Sequence, residues 1–367
     1  MGSSVPSTVR MSLAADARME AMKPSLEFLP DDRVLVLAPH PDDEVLATGG
    51  LIQQALAAGA ALRVIVATDG DNNPWPQRWV EKRWRIDATA RERWGRRRRA
   101  EGLAALSCLG VADTDVRFLG WPDSGLTDRL LADADGESCL AEEITRFRPS
   151  VLVAPVLGDT HPDHSALRVM LELALAQADV APCRRLGFRV HGIGAETSYR
   201  ALTLNAEQVQ RKQDATLAHT SQLVLSRARM LRYAQREECF LPVPASVPLK
   251  ACMGARWRMP LPGMRGWGKA HVLVLVLVTS AGVARRVLPL RDAVQGTAWD
   301  ITLEGNASLR FVAHRHGDHI DLSLQGQPLL HKVFCKIHRQ GERLFIHDAR
   351  GWMDVLAATA TEHAPAR

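Results

Sequence analysis

A histidine, a proline and three acids follow directly on an apolar run in the segment VLVLAPHPDDE, residues 34–44. Such a run is typical of a buried β-strand, whereas ionisable side chains are expensive to bury. In an open α/β sheet, ligands bind beyond the carboxyl ends of the strands, so His40, Asp42 and Asp43 would lie at the functional edge. The alternative is that these residues only turn the chain and cap the next helix, for which Asp is well suited.

A second segment repeats this pattern. VLVAPVLGDTHPDHSALRV, residues 151–169, is another apolar run, and it ends in His161, Pro162, Asp163 and His164 just before a helical pattern. Two such loops on parallel strands can converge at one sheet edge and supply imidazole and carboxylate ligands to a metal. Their joint occurrence favours a functional site over two unrelated turns.

These loops require a sheet that holds them side by side. Over residues 33–240, the apolar runs RVLVLA, LRVIVAT, DVRFLG and SVLVAPV alternate with longer segments that carry apolar residues at helical spacing. This alternation is typical of parallel strands joined by crossover helices. We therefore predict an α/β fold with a Rossmann-like, mainly parallel sheet and helices on both faces.

The second part of the chain has a different pattern. Residues 241–270 are rich in proline and glycine without a sustained period, which is typical of a connector. Beyond them, runs such as HVLVLVLVTS are joined by Gly, Asp and Asn turns and predict a smaller β-rich module over residues 271–367. The α/β domain would span residues 31–240.

No transmembrane segment is expected, because no apolar run approaches the roughly 20 residues of a membrane span. Residues 1–30 lack the apolar core of a secretory signal, and we expect them to form a flexible lead-in. The six cysteines form no C-x-x-C pair, which argues against a disulfide framework and a thiolate zinc site. These features predict a cytoplasmic protein.

The net charge of +5 depends largely on one basic stretch, RERWGRRRRAEG, at residues 91–102. Elsewhere acids and bases nearly balance, so we expect no specific nucleic-acid partner.

Residues 32–240 resemble the PIG-L or LmbE-like N-acetylglucosaminide deacetylases. The motifs of that family are A-H-P-D-D-E after the first strand and H-P-D-H after a later one, and here they read PHPDDE at residues 39–44 and HPDH at residues 161–164. The resemblance extends to an Arg-x-x-Glu helix with Arg98 and Glu101, to a WPDSGL loop with Asp123, and to AHTSQ at residues 218–222.

The resemblance implies a metal-dependent amide hydrolase. His40, Asp43 and His164 would hold the metal, for which zinc is expected and Fe²⁺ or another divalent ion is an alternative.

The resemblance also implies roles for five further residues. Asp42 would act as the general base, and His161 would face the oxyanion as an imidazolium or a hydrogen-bond donor. Asp163 would orient His161. Arg98 and Asp123 would bind the sugar, although Arg98 could instead lie on a solvated helix face.

The implied reaction removes an acetyl group from an N-acetylated amino sugar on a larger glycoconjugate, glycolipid or metabolite. Amidases that act on a thiol conjugate or an acylated antibiotic would use the same ligands, because substrate identity depends on the loops. A different alternative is a saccharide- or nucleic-acid-binding protein on an inactive hydrolase scaffold. That alternative draws on the arginine stretch and on the tryptophans that precede it.

Four tryptophans lie among basic residues in segment 69–94, at positions 75, 79, 84 and 94. Aromatic faces and arginines could contact an anionic saccharide or a phospholipid-linked acceptor. Helix packing with a solvated basic face is the alternative.

A third histidine cluster, HRHGDH at residues 314–319, could hold a second metal. We favour a solvated hairpin end, because a Gly-Asp turn lies in its centre.

Overall fold

The computed structural model describes residues 26–132, 135–192, 198–244, 256–261, 271–280, 282–290, 296–302, 308–326, 330–339 and 347–355. Strands and helices alternate over residues 26–244, which we call the α/β region. Its strands are β1 (Arg33–Ala38), β2 (Ala61–Thr68), β3 (Val116–Trp121), β4 (Val151–Pro155), β5 (Arg184–Phe188), β6 (Arg200–Thr203) and β7 (Glu237–Pro242). Its α-helices are α1 (Asp43–Ala57), α2 (Pro74–Glu81), α3 (Ala88–Cys108), α4 (Leu126–Leu131), α5 (Gly136–Phe147), α6 (Pro162–Gln177), α7 (Ala206–Ala218) and α8 (Thr220–Leu231).

Strands dominate the described part of residues 256–355, which we call the β region. They are β8 (Arg256–Pro260), β9 (His271–Thr279), β10 (Gly282–Pro289), β11 (Thr297–Thr302), β12 (Ser308–His316), β13 (His319–Gly326), β14 (Leu330–Arg339) and β15 (Met353–Asp354).

The central sheet has the strand order β3-β2-β1-β4-β5-β7-β6. Strands β1 to β5 pair in parallel, and β7 pairs antiparallel with both β5 and β6. From β1 the chain adds β2 and β3 on one side of the sheet and then β4 and β5 on the other, so the strand order reverses between β1 and β4. The crevice at such a switch point is where α/β sheets bind ligands. The two histidine loops follow these two strands.

Alternate side chains of β1 enter different cores, which explains why its sequence is apolar throughout. Val34 and Val36 pack on one face of the sheet with residues of α1 and α3. Leu35 and Leu37 pack on the opposite face with residues of α5 and α6. The predicted mainly parallel sheet with helices on both faces is confirmed.

The β region contains two four-stranded antiparallel sheets, β10-β9-β14-β15 and β11-β12-β13-β8. Leu273, Leu275 and Leu277 of β9 pack in a core shared by both sheets. The alternate residues Val272, Val274 and Val276 pack against the α/β region in the core that contains α5 and α6. The first sheet is thus a middle layer with two buried faces, and the predicted β-rich region is confirmed.

Part of the predicted connector at residues 241–270 is regular structure. Arg256–Pro260 forms β8 and pairs antiparallel with β13, so this strand belongs to the β region. The rest of the proposed domain division stays a prediction, and residues 1–25, 245–255 and 262–270 lie outside the described residues. Among the described helices, none combines the length and apolar character needed to cross a membrane.

Candidate active site

The loops after β1 and β4 meet at the switch point of the sheet. The ring centroids of His40 and His164 lie 5.3 Å apart, and that of His161 lies 4.7 Å from His40 and 4.8 Å from His164. The neighbouring carboxyl ends of β1 and β4 explain this proximity. Six of the eight predicted site residues line one cavity of about 660 Å³. The other two, Asp163 and His164, contact the lining residues His40 and Asp43.

The three predicted metal ligands are in mutual contact. Asp43 Oδ2 lies 3.1 Å from His40 Nδ1 and 3.1 Å from His164 Nε2. His164 Nε2 is fully buried beside this carboxylate, yet no well-aligned hydrogen bond joins the two atoms. Buried polar atoms normally have a partner, so an imidazole nitrogen that faces a carboxylate in this way fits a divalent metal.

Further ligand atoms surround this contact. The described residues contain three groups of possible metal ligands, and within each group the ligand atoms lie within 4.8 Å of one another. They are His40 with His161 and His164, Asp43 with His164 and His191, and His40 with Asp123 and Asp163. The site therefore has the donor set for a divalent metal, and the identity of the ion stays a prediction.

Asp159 fixes the orientation of His164, and the sequence analysis missed it. Its Oδ2 lies 3.2 Å from His164 Nδ1 and accepts hydrogen bonds from the amides of Val190 and His191 at 3.0 and 3.1 Å. Carboxylates commonly hold the distal nitrogen of a metal-binding histidine in this way. The signal was present, because Asp159 stands two residues before the HPDH loop.

Burial alone would lower the pKa of His164, but the carboxylates of Asp43 and Asp159 outweigh it and raise that pKa to about 10. A metal must therefore displace a proton from this imidazole.

Three consecutive acids in the first loop have different pKa values. Burial raises the pKa of Glu44 to about 8. Burial also disfavours the charged form of Asp43, but His164 and His40 outweigh it and hold the Asp43 pKa well below its usual range. For Asp42, burial raises the pKa to about 6, although the Arg98 guanidinium opposes the shift. Of the two acids with a raised pKa, Asp42 is thus the one that is mostly ionised at neutral pH.

The backbone of Asp42 adopts φ 144°, a conformation that side-chain-bearing residues rarely adopt. Two contacts hold it there, since Glu44 Oε2 accepts from the Asp42 amide at 3.1 Å and Arg98 Nη2 donates to Asp42 Oδ2 at 3.0 Å. Asp42 occupies the N-cap position of α1 but makes no side-chain capping bond. The capping alternative is therefore wrong for this residue, whose carboxylate lines the cavity.

Arg98 is buried, so the alternative of a solvated helix face is wrong. Its guanidinium donates to the carbonyls of Gly70 and Pro41 at 2.9 and 2.7 Å and to Asp42. Gly70 has φ 61°, and a Cβ there would overlap Arg98 Nη1. Arg98 therefore holds the first loop and Asp42 in place, and its predicted sugar contact stays a prediction.

His161 acts as the N-cap of α6, because its Nδ1 accepts from the Asp163 amide at 3.2 Å. Burial and the neighbouring His40, His164 and His191 keep the pKa of His161 well below its usual range. The imidazole is thus neutral, and its remaining proton is on Nε2. This favours the predicted hydrogen-bond donor over the predicted imidazolium.

Asp163 contacts partners other than those expected. Its carboxylate accepts from the amides of Ser124 and Leu126 at 2.6 and 3.0 Å, and its Oδ2 lies 3.2 Å from His40 Nε2. Its side chain thus ties the β3–α4 loop to His40, while only its backbone amide orients His161.

Asp123 lies at the tip of that loop. Its Oδ1 lies 3.3 Å from His40 Nε2, and its Oδ2 accepts from the Asn72 amide at 2.9 Å. Burial would raise the pKa of Asp123, but the hydrogen bond and charge of His40 lower it to about 2. This ionised carboxylate lines the cavity beside Trp75.

The Arg-x-x-Glu helix and the AHTSQ segment contact each other. The Glu101 carboxylate accepts from the amide and hydroxyl of Ser221 at 3.0 and 2.5 Å and from the Thr220 hydroxyl at 2.7 Å. A carboxylate at the first turn of a helix is favourable, because unpaired amides and the helix dipole favour negative charge there. The contact fixes the start of α8 against α3 and closes one side of the cavity.

His191 and His347 also belong to this site, and both escaped the sequence analysis. The ring centroid of His191 lies 4.9 Å from His164, and that of His347 lies 4.7 Å from His191 and 5.7 Å from His161. His191 follows β5, so a histidine just beyond a third strand of the sheet was a readable signal. His347 lies in the β region, and no pattern within FIHDAR connects it with residues far away in sequence.

The comparison with known families agrees with this geometry. Residues 35–175 match the family described as "PIG-L: GlcNAc-PI de-N-acetylase". We call this matched segment the PIG-L domain. The predicted resemblance is confirmed, and the matched segment contains all eight predicted site residues.

The PIG-L domain is similar to that of bacterial 1D-myo-inositol 2-acetamido-2-deoxy-alpha-D-glucopyranoside deacetylases. The protein from Mycobacterium sp. (strain KMS) is 36% identical over 147 residues, which cover 36% of this chain and 46% of that protein. The protein from Rhodococcus jostii (strain RHA1) is 33% identical over 166 residues, which cover 41% of this chain and 55% of that protein. The chain thus spans about half the length of these curated relatives.

Solved structures also resemble this chain. The N,N'-diacetylchitobiose deacetylase from Pyrococcus horikoshii is 18% identical, with a TM-score of 0.44, over 58% of this chain and 85% of that one. The conserved protein TT1542 from Thermus thermophilus is 24% identical, with the same TM-score of 0.44, over 58% of this chain and 97% of that one.

The arginine run of the PIG-L domain is fully paired, which removes the main support for nucleic-acid binding. Arg96 pairs with Glu92 at 2.5 Å and Arg97 with Glu101 at 3.0 Å. Arg98 pairs with Asp42 at 3.0 Å and Arg99 with Asp69 at 2.5 Å.

The histidines at 314–319 lie far from the PIG-L domain in sequence, at the β12–β13 hairpin. His316 and His319 stack with centroids 5.4 Å apart, and His316 is exposed. None of the three candidate metal groups in the described residues includes them. The structure agrees with a solvated hairpin end.

Proposed function

We propose that this chain is a zinc-dependent N-deacetylase that removes the acetyl group from an N-acetylated amino sugar carried on a larger molecule. The observation that carries the proposal is the convergence of two His-Pro-Asp loops at the switch point of a PIG-L domain. That convergence supports a metal-ligand set with a separate carboxylate, that of Asp42, beside it.

His40, Asp43 and His164 are the proposed ligands, because their donor atoms meet at Asp43 Oδ2. A divalent ion there would polarise the amide carbonyl and lower the pKa of a water molecule. Asp159 would keep His164 Nε2 directed toward the ion.

Asp42 is the proposed general base. With a pKa of about 6 its carboxylate is ionised at neutral pH, yet it is basic enough to take a proton from water. The Arg98 hydrogen bond fixes its position, and the same carboxyl group, once protonated, can deliver the proton to the departing amine.

His161 is the proposed oxyanion donor. Its Nδ1 is occupied by the Asp163 amide, so the neutral ring presents Nε2–H to the cavity. A fixed donor of this kind stabilises the charge that develops on the carbonyl oxygen.

Sugar binding is assigned to Asp123, whose ionised carboxylate lines the cavity. A carboxylate accepts hydrogen bonds from sugar hydroxyls and can fix the ring relative to the metal ligands. Arg98 would assist through the loop that it holds.

The test is release of free amine from a panel of N-acetylglucosaminides by the purified protein loaded with zinc. We expect turnover that a chelator abolishes and that added zinc restores. Asp42→Asn should lose turnover, whereas His316→Ala, a change of an exposed histidine on the β12–β13 hairpin, should retain it. Saccharide binding without amine release across the panel would instead favour the inactive-scaffold alternative.

A further inference from the structure

Large exposed apolar side chains are concentrated on one part of the molecule. The described residues contain seven such side chains, of which two, Leu29 and Val287, stand alone. The other five lie on α2, the turn after it and α8. They are Trp75, Trp79, Trp84, Val224 and Leu225, with exposed fractions of 53%, 58%, 76%, 39% and 54%.

These five side chains form one surface at the mouth of the active-site cavity. Helix α2 packs against α8, and Asn73 Nδ2 donates to Gln222 Oε1 at 3.3 Å where the two segments meet. Trp75 and Leu225 line the cavity together. We call these five residues the tryptophan surface.

Cationic side chains are numerous in the two segments that carry the tryptophan surface. Segments 74–85 and 220–232 contain seven cations and one acid, Glu81, which pairs with Arg93. The cations are Arg78, Lys82, Arg83, Arg85, Arg227, Arg229 and Arg232. Within the described part of the chain none of the seven forms an ion pair, in contrast to the fully paired run at residues 96–99.

Cations also cover the indole rings. The Arg78 guanidinium carbon lies 5.0 Å from the ring centroids of both Trp75 and Trp84, and Lys82 Nζ lies 4.6 Å from that of Trp79. Indoles with adjacent cations are the side chains that favour the headgroup level of a bilayer. On each of these rings, the face that the cation contacts is no longer free for a stacked sugar.

We propose that the tryptophan surface docks on an anionic phospholipid bilayer. Its apolar side chains would enter the boundary between headgroups and acyl chains, and the unpaired cations would contact lipid phosphates. Docking would bring the cavity mouth to the membrane, where it could receive an amino sugar carried on a lipid. That consequence for the substrate rests on the proposed deacetylase function, whereas docking itself does not.

The number of charges and apolar side chains that a variant changes predicts how much vesicle binding should weaken. Each basic residue near an anionic surface strengthens binding about fivefold, so Lys82→Glu with Arg83→Glu should weaken it by about 25-fold or more. Trp79→Ala with Trp84→Ala removes apolar area and should weaken binding by roughly tenfold. Neither pair lines the cavity.

The test is cosedimentation of the full chain with phosphatidylcholine vesicles that contain or lack phosphatidylglycerol. We expect binding to the anionic vesicles that falls as salt is added, together with a blue shift of tryptophan fluorescence. One matched control changes the isolated apolar residues, with Leu29→Ala and Val287→Ala. A second reverses two exposed cations elsewhere, with Arg211→Glu and Arg310→Glu, and both controls should bind like the parent chain.

Three results would overturn the proposal. They are no binding to anionic vesicles, equal weakening in the control variants, or tryptophan-dependent binding to soluble chitooligosaccharides but not to vesicles. The Asp42→Asn variant separates docking from catalysis, because it should bind vesicles like the parent chain although it lacks turnover. Thermal unfolding of every variant checks that the fold is retained.

Discussion

The α/β region and the β region use burial in different ways. In the α/β region, ionisable side chains are buried together at the ends of β1 and β4, where Asp43, His164 and Asp159 hold one another. In the β region, burial is mostly apolar, as in the alternating Leu and Val residues of β9. In this molecule the ends of the strands carry the candidate catalytic groups, and the strand interiors form the apolar cores that hold those ends in place.

The β region nevertheless reaches the site at one segment. The Asp348 amide donates to the carbonyl of Thr160 at 2.9 Å, and the buried Lys336 ammonium lies 2.5 Å from Asp348 and 3.3 Å from Ser165 Oγ at the start of α6. These contacts place His347 at the cavity. The β region is therefore part of the site's wall as well as a cover for α6.

Outside the proposed catalytic groups and metal ligands, the largest effect should come from Gly70→Ala in the α/β region. A Cβ at residue 70 would overlap the Arg98 guanidinium, which must then leave Asp42. Because displacement of a catalytic group by about 1 Å can cost about 10²-fold, we expect kcat to fall about 10²-fold with metal content unchanged. Normal kcat in this variant would show that Arg98 does not position Asp42.

Gly351→Ala makes the corresponding change in the β region. A Cβ there would overlap the backbone carbonyls of Leu157 and Asp159, in the loop that carries the His164 partner. We expect a loss of about 1–3 kcal/mol in the free energy of unfolding, as for other overpacked sites, together with weaker metal binding. Gly317→Ala is the control for backbone strain without overlap, because Gly317 has φ 50° and no atom lies within 4 Å of its added Cβ. Equal losses of stability and of metal affinity in Gly351→Ala and Gly317→Ala would show that the backbone contact at Gly351 does not support the site.

The loss of activity on the acid side of the pH profile should depend on Asp42. Its pKa is raised to about 6, and the base must be ionised, so kcat/KM should be full above that pH and fall about tenfold for each unit below it. His161 is neutral because its pKa is well below the usual range, so it should add no descending limb near neutrality. A profile with a fall between pH 7 and 8 would contradict this assignment.

Two substitutions of Arg98 test the effect of its charge in the same pH profile. Its charge lowers the pKa of Asp42, so Arg98→Gln should move the rising limb to higher pH, whereas Arg98→Lys should leave it nearly in place. An identical shift in both variants would show that the change is structural rather than electrostatic.

The smallest effect is expected for His347→Ala. Its ring borders the cavity 5.7 Å from that of His161, but it belongs to none of the candidate metal groups in the described residues. We expect KM for the larger acceptor to rise severalfold, with kcat and metal content retained. An effect no greater than that of His316→Ala would remove His347 from the site.

Much of the α/β region could be predicted from the sequence, because each step depends on local pattern. The apolar runs of β1 and β4 and their His-Pro-Asp endings can each be recognised within one short segment, and the helices between them can be recognised by their apolar spacing. The topology rule for parallel sheets then places both loops at one edge.

The remaining features depend on contacts between residues distant in sequence. The pairing of Arg98 with Asp42, the contact of Asp163 with His40 and the entry of His347 from the β region each join separate elements. The neutral state of His161 arises from burial beside three other histidines. No local period contains this information, so only the folded structure could supply it.

The central claim is that a metal-ligand set and a separate base lie side by side at the β1–β4 edge. The most direct measurement is metal content per chain, with turnover in parallel, for the parent chain, Asp42→Asn and His164→Ala. We expect one divalent ion per chain in the parent and in Asp42→Asn, but turnover of Asp42→Asn should be reduced by about 10²–10⁴-fold. His164→Ala should bind the metal more weakly. Equal loss of metal in both variants, or active protein that holds no metal, would contradict the central claim.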